Sequence, residues 1–86
     1  MRDFNVQLFE LQEGTYKIAL SLSSLGHGAQ GTKDYASREA FASDLNKFLG
    51  FTDGAIERFF SDPTRQNTLL HHPLTDEDAA SLGWAH

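Results

Sequence analysis

A glycine-rich segment holds the first residues that could bind a ligand. The stretch GHGAQGTK, Gly26 to Lys33, places glycines at 26, 28 and 31 in the spacing G-x-G-x-x-G. Between a strand and a helix, this spacing lets backbone N–H groups surround a phosphate at the helix N-terminus. The candidate nucleotide- or phosphate-binding residues are therefore Gly26, His27, Gly28, Gly31 and Lys33.

The surrounding sequence lacks the architecture that this motif needs. Dinucleotide binding requires a parallel βαβ unit, whereas the strand before Gly26 is predicted to pair locally in a hairpin. The next helix is predicted to begin near Ser37, and the order Gly31-Thr32-Lys33 differs from the Gly-Lys-Ser/Thr of a Walker loop. We therefore expect residues 25–36 to form a flexible surface loop, with ligand binding as the alternative.

Metal binding and catalysis find little support in the other reactive residues. His71 and His72 are adjacent, so an extended backbone points them to opposite faces and away from a shared metal. The acidic run Asp76-Glu77-Asp78 is typical of a helix N-terminus. No cysteine is present, no serine has the G-x-S-x-G setting of a nucleophile, and 86 residues rarely enclose a substrate pocket. We expect no enzyme activity, no metal and no cofactor.

The charge balance restricts the class of partner. The chain has twelve acidic and seven basic residues, and the basic ones are scattered, for a net charge of −5. Nucleic acids and anionic membranes attract proteins through a basic face, so we expect neither as a partner. The N-terminus lacks the apolar core of a signal peptide, and no apolar run is long enough to span a bilayer. We expect a soluble cytoplasmic protein.

Residues 4–24 show the alternation of a β-hairpin. Apolar side chains recur at every second position in both halves, which places them on one face of a strand pair. Because Gly14 adopts positive φ cheaply, we predict a three-residue loop over residues 12–14 that pairs Leu11 with Thr15. The predicted register sets Phe4 opposite Leu22, Val6 opposite Leu20, and Leu8 opposite Ile18.

The same register leaves two apolar side chains on the opposite, mostly polar face. Phe9 and Leu11 occupy odd positions of the first strand. The edges of a small sheet also expose unpaired backbone groups that a partner strand can bind. We therefore predict an interaction surface at Phe9 and Leu11, covered either by the chain's own loop or by a partner.

Residues 37–86 are predicted to be the helical part of one domain that spans residues 1–86. Ser37, Thr52 and Thr75 have the hydroxyl group of an N-cap, and Gly50 and Gly83 suit the left-handed end of a helix. These signals predict helices near 38–49, 53–61 and 76–82. Residues 67–72 are a candidate for a third short strand, centred on Thr68 to His71.

The predicted fold is α+β, with an N-terminal antiparallel hairpin, a third short strand as an option, and two to three short helices packed on one face. The function that best suits this small acidic domain is a protein-interaction or regulatory module, either bound to a protein partner or self-associated as a homodimer. One alternative is a small-ligand or nucleotide binder that uses Gly26 to Lys33. Another is a non-catalytic accessory subunit of a larger enzyme.

Overall fold

Over the residues that the structure describes, the protein has a four-stranded antiparallel sheet and three helices, which confirms the α+β class. The computed structural model describes residues 1–12, 14–22, 30–62 and 68–84. None of the helices in these ranges has the length and apolar character needed to cross a lipid bilayer. The elements are β1 (Arg2–Gln12), β2 (Thr15–Leu22), β3 (Gln30–Tyr35), α1 (Arg38–Leu49), α2 (Asp53–Ser61), β4 (Thr68–Leu74) and α3 (Asp76–Ser81), and the strand order is β3-β2-β1-β4.

The hairpin of β1 and β2 has the predicted register. Phe4 pairs with Leu22, Val6 with Leu20, and Leu8 with Ile18. Even-numbered positions therefore meet even-numbered positions, and one face of the hairpin is apolar from Phe4 to Leu8 and across the paired residues of β2. The side chains of Phe4, Val6, Leu8, Tyr16, Ile18 and Leu20 are all buried on this face.

The predicted end of the hairpin is wrong by one residue. Gln12 pairs with Thr15, where Leu11 was expected, and the register shifts between Glu10 and Gln12. Leu11 is thus the extra residue of a β-bulge, an irregularity that inserts one residue into one strand and increases its twist. Gly14 has the expected positive φ, at 83°.

The prediction of a loop over residues 25–36 is wrong for its second half. Residues 30–35 form β3, which pairs with β2 along its length, from Tyr16 opposite Tyr35 to Ser21 opposite Gln30. The segment QGTKDY has only one large apolar residue, so it lacks the alternation that marked the hairpin. Its strand conformation comes from backbone pairing with β2, which is not visible in the local sequence.

The third predicted strand exists, but as the fourth strand of the sheet. β4 extends from Thr68 to Leu74 and pairs antiparallel with β1. It continues through Pro73, which has no N–H to donate. A proline is tolerated here because β4 is an edge strand with a hydrogen-bonding partner on one side only.

The helices begin where the sequence predicts. The hydroxyl groups of Ser37, Thr52 and Thr75 accept hydrogen bonds from the backbone N–H three residues later, at 3.2, 3.1 and 3.1 Å. Each bond satisfies a donor that the first helical turn leaves free. α1 and α2 have the predicted bounds, and α3 ends at Ser81, one residue before the predicted end.

Two glycines end helices in the left-handed conformation, as predicted. Gly50 has φ 71°, and the N–H groups of Gly50 and Phe51 both donate to the carbonyl of Leu45. Gly83 has φ 94°, and Trp84 N–H donates to the carbonyl of Ala79 at 3.0 Å, which is the Schellman pattern. Trp84 then lies in the buried core, and Phe51 packs against that core partly buried.

The core lies between the helices and the even-numbered face of the hairpin. Phe41 of α1 stacks on Tyr16 with 4.7 Å between ring centroids, and Phe60 of α2 meets the same tyrosine edge-on at 5.6 Å. Trp84, just after α3, meets the ring of Phe4 edge-on at 5.0 Å. All three helices therefore cover the same face of the sheet.

Gly31 allows β3 to pass directly beside the end of α3. A methyl group at Gly31 would lie 2.5 Å from Trp84 Cα and 2.7 Å from the carbonyl oxygen of Gly83. A methyl group at Gly83 would in turn collide with the carbonyl of Thr32. The two backbones approach so closely that neither position has room for a side chain.

We expect Gly31→Ala to lower the free energy of unfolding by about 1–3 kcal/mol, because the added methyl group meets backbone atoms that cannot rotate away. The matched control is Gly54→Ala in α2, where a methyl group would lie 3.6 Å from an Arg58 nitrogen, an ordinary contact. That control is expected to raise stability by up to about 1 kcal/mol, the helix preference of alanine over glycine. Urea denaturation of both variants measures the difference, and equal stability of Gly31→Ala and wild type would contradict the close approach.

Candidate functional site

The described residues do not form the ligand-binding loop that the sequence suggested. Gly31 and Lys33 lie within β3, opposite Leu20 and Ile18, and so on the face that the helices cover. Gly31 is buried, and its lack of a side chain is explained by the backbone of residues 83–84. Gly26, His27 and Gly28 lie outside the described residues.

Lys33 belongs instead to a polar cluster between β3 and α1. Lys33 Nζ lies 2.9 Å from Asp44 Oδ2, and the hydroxyl group of Tyr35 donates to the same oxygen at 2.6 Å. The carboxylate is mostly buried, with 15% of its side chain exposed, while that of Lys33 is 41% exposed. Both donors converge on one oxygen, so the cluster ties the middle of α1 to the sheet.

The phenol of Tyr35 is held in its neutral form. Burial raises the pKa of Tyr35 far above its ordinary value of 10.0, and the hydrogen bond to Asp44 and the negative charge of that carboxylate raise it further. A phenol with a raised pKa donates a proton poorly to a substrate and does not act as a base near neutral pH. The cluster therefore has a structural role. The ammonium group of Lys33 contacts the carboxylate of Asp44 and does not face an open site for a phosphate.

The larger feature is the face of the sheet opposite the helices, here called the open face. Side chains of alternate residues point to it from all four strands, and no helix in the described ranges packs on it. Four of its residues are apolar and only three carry a full charge. It comprises Asp3, Asn5, Gln7, Phe9, Thr15, Lys17, Ala19, Ser21, Thr32, Asp34, Leu69, His71 and Pro73.

Of the two predicted surface residues, Phe9 lies on the open face, opposite Lys17, whereas Leu11 is the bulge residue at the end of β1. Leu11, at the bulge, is 52% exposed, and Phe9 is half-buried among neighbouring strand residues. Phe9 helps to line a shallow depression of about 220 Å³ with Lys17, Ala19 and Thr32. The chain's own described residues thus leave Leu11 largely open to water.

Leu69 is the residue of this surface that sequence reasoning missed. It lies opposite Gln7 on the neighbouring strand and is 60% exposed, more than Leu11. Leu69 and Leu70 are adjacent in one strand, so they point to opposite faces, and only one of them can face the core. The Leu69-Leu70 pair in the sequence therefore indicated one exposed leucine. Which of the two faces away from the helices is decided by the register between β4 and β1.

The two neighbouring histidines point to opposite sides of the sheet, as predicted. His71 lies opposite Asn5 on the open face and is exposed, whereas His72 lies opposite Phe4 on the helix side and is half-buried. Within the described ranges, no three histidine or acidic side chains are grouped so that they could hold a metal ion.

The raised pKa of Tyr35 predicts a loss of stability at alkaline pH. Below about pH 10 the phenol is protonated in both the folded and the unfolded chain, so its contribution is complete. Above that pH the unfolded tyrosine ionises while the folded one keeps its proton, so stability falls by up to about 1.4 kcal/mol per pH unit.

The Tyr35→Phe variant isolates this effect. It is expected to be less stable than wild type at neutral pH by about 1 kcal/mol, because the hydrogen bond to Asp44 is lost. Its stability should also fall less steeply above about pH 10. Urea denaturation of both proteins from about pH 8 to about pH 11 measures the two slopes, and parallel slopes would contradict the prediction.

Compared with models of protein families, with curated proteins and with solved structures, the chain matches none of them. Its function is therefore argued from the geometry of the open face and the polar cluster alone.

Proposed function

We propose that the protein is a protein-interaction or regulatory module that binds a protein surface through its open face. The supporting observation is the exposure of Leu69, with Phe9 half-buried nearby, on a sheet face that no described helix covers. An antiparallel sheet with one solvated face usually places polar residues there in clean alternation. Phe9 and Leu69 depart from that alternation, and exposed apolar side chains of this kind are typical of an interaction site. The bulge residue Leu11, also exposed, lies at the end of β1.

The charges of the open face favour a protein over a nucleic acid. Lys17 is the one fully basic residue among its described side chains, and Asp3 and Asp34 are acidic. A phosphate backbone needs several cationic contacts for tight binding, and this face does not offer them. A protein surface of mixed polarity has no such requirement.

The two alternative functions have less support. Two of the residues proposed to bind a ligand, Gly31 and Lys33, have structural partners instead. Gly31 lacks a side chain where the backbone of residues 83–84 passes close by, and the Lys33 ammonium group contacts Asp44. An accessory subunit of a larger enzyme is a special case of the same proposal, with the enzyme as the partner on the open face. A cytoplasmic location suits the cysteine-free chain, which requires no oxidising compartment for disulfides.

A pair of charge-introducing variants tests the proposed surface. Leu69→Asp places a carboxylate on the open face, and Ala40→Asp places the same group at an exposed position of α1 on the helix side. Tagged wild type, Leu69→Asp and Ala40→Asp are used to recover bound proteins from cells that express the chain, after urea denaturation has shown that all three are folded.

We expect Leu69→Asp to recover at least tenfold less partner protein than wild type, because a buried unpaired carboxylate opposes binding at an apolar contact. Ala40→Asp should bind as wild type does. Equal recovery by all three proteins, or loss only with Ala40→Asp, would contradict the assignment of the open face.

A further inference from the structure

We infer that the partner on the open face is a second copy of this chain, packed sheet against sheet. The inference rests on the proposed function, because it requires that the open face binds protein. It adds the identity of the occupant and the geometry of the contact. Two sheets that pack face to face lie about 10 Å apart, with the side chains of both faces interdigitating between them.

The distribution of charge selects the open face as the place where two copies meet. Eight of the chain's twelve acids lie in the helical segments 36–62 and 75–84, together with only three of its seven bases. Two copies that approached through their helices would therefore bring two strongly negative surfaces together. The described open face has two acids and one base, so its self-repulsion is much smaller.

The charges that remain on the open face are suited to self-pairing. Lys17 lies directly opposite Asp34 on the neighbouring strand, and Phe9 lies opposite Lys17 on the other side. A dimer with two-fold symmetry uses the same patch on both copies, so each contact between unlike residues occurs twice. A patch with both charge signs beside an apolar side chain can place each charge against the opposite charge of the second copy. A patch of one sign would repel its own copy.

The size of the open face limits the contact that two copies can make. The Cα atoms of the molecule span 32 × 22 × 20 Å, and one face of the sheet lies within those dimensions. A contact across one such face buries roughly 1,000 Å² in total, at the low end of specific protein interfaces. We therefore expect a dimer that dissociates reversibly on dilution.

Strand addition at the β4 edge is a weaker route to a dimer. Pro73 lies within that edge strand and lacks the N–H group that a partner strand would bind. The edge is therefore interrupted, while the open face beside it carries the exposed side chain of Leu69. Contact through the face also buries the apolar side chains that the edge would leave in water.

Sedimentation of the purified full chain tests the inference. Wild type, Leu69→Asp and Ala40→Asp are measured from about 1 µM to about 500 µM, a range over which a reversible dimer of micromolar affinity dissociates. Wild type and Ala40→Asp should pass from monomer to dimer, and Leu69→Asp should weaken the dimer at least tenfold. Phe9→Ser, on the same face, is the second variant and serves if Leu69→Asp does not fold.

The location of the contact is read from amide NMR shifts during dilution of wild type. Concentration-dependent shifts are expected at Ala19, Leu69 and their neighbours on the open face, and not at exposed positions of α2. A monomer throughout the range would overturn the inference, and so would a dimer that both open-face variants leave intact. A monomer whose recovery of another protein is still lost in Leu69→Asp would refute self-association and leave the proposed function standing.

Discussion

The register of the first hairpin is the constraint on which the rest of the structure depends. Because Val6 meets Leu20 and Leu8 meets Ile18, every large apolar residue at an even position of the hairpin lies on one face. The helices can bury their own apolar stripes only against that face. A slip of one residue would present those side chains to the opposite side and separate them from Phe41 and Trp84. The register of the hairpin thus determines which side of the sheet the helices cover.

The second constraint is the close approach between β3 and the end of α3. Helix α3 has only six residues, so its position depends on the chain that follows it. Gly83 turns that chain, Trp84 packs on Phe4, and Gly31 leaves space for both. A glycine that resembles part of a phosphate-binding motif in the sequence therefore allows two backbones to touch in the fold. Its neighbour Lys33 has an equally structural partner in Asp44.

The sequence predicts the features that local chemistry decides. The caps at Ser37, Thr52 and Thr75, and the left-handed ends at Gly50 and Gly83, each depend on residues within about one helical turn. The even positions of the hairpin follow from alternation and one glycine turn. β3 was not predicted, because QGTKDY becomes a strand only through pairing with β2. The same kind of information was missing for Leu69, whose face depends on how β4 pairs with a strand more than fifty residues away in the chain.

The open face follows from these same constraints, and it is the part of the structure that stability alone does not explain. The three described helices all pack on the opposite side, and within the described ranges no helix covers Phe9, Leu11 and Leu69. Polar residues at these positions would keep the same alternation and the same core, since none of the three contributes to the buried side. Apolar side chains there contribute little to the folded monomer in water, but they gain free energy when a second surface removes them from solvent. The sheet thus stabilises the monomer through one face, and the proposed association would use the second face, whose described residues carry two acids and one base.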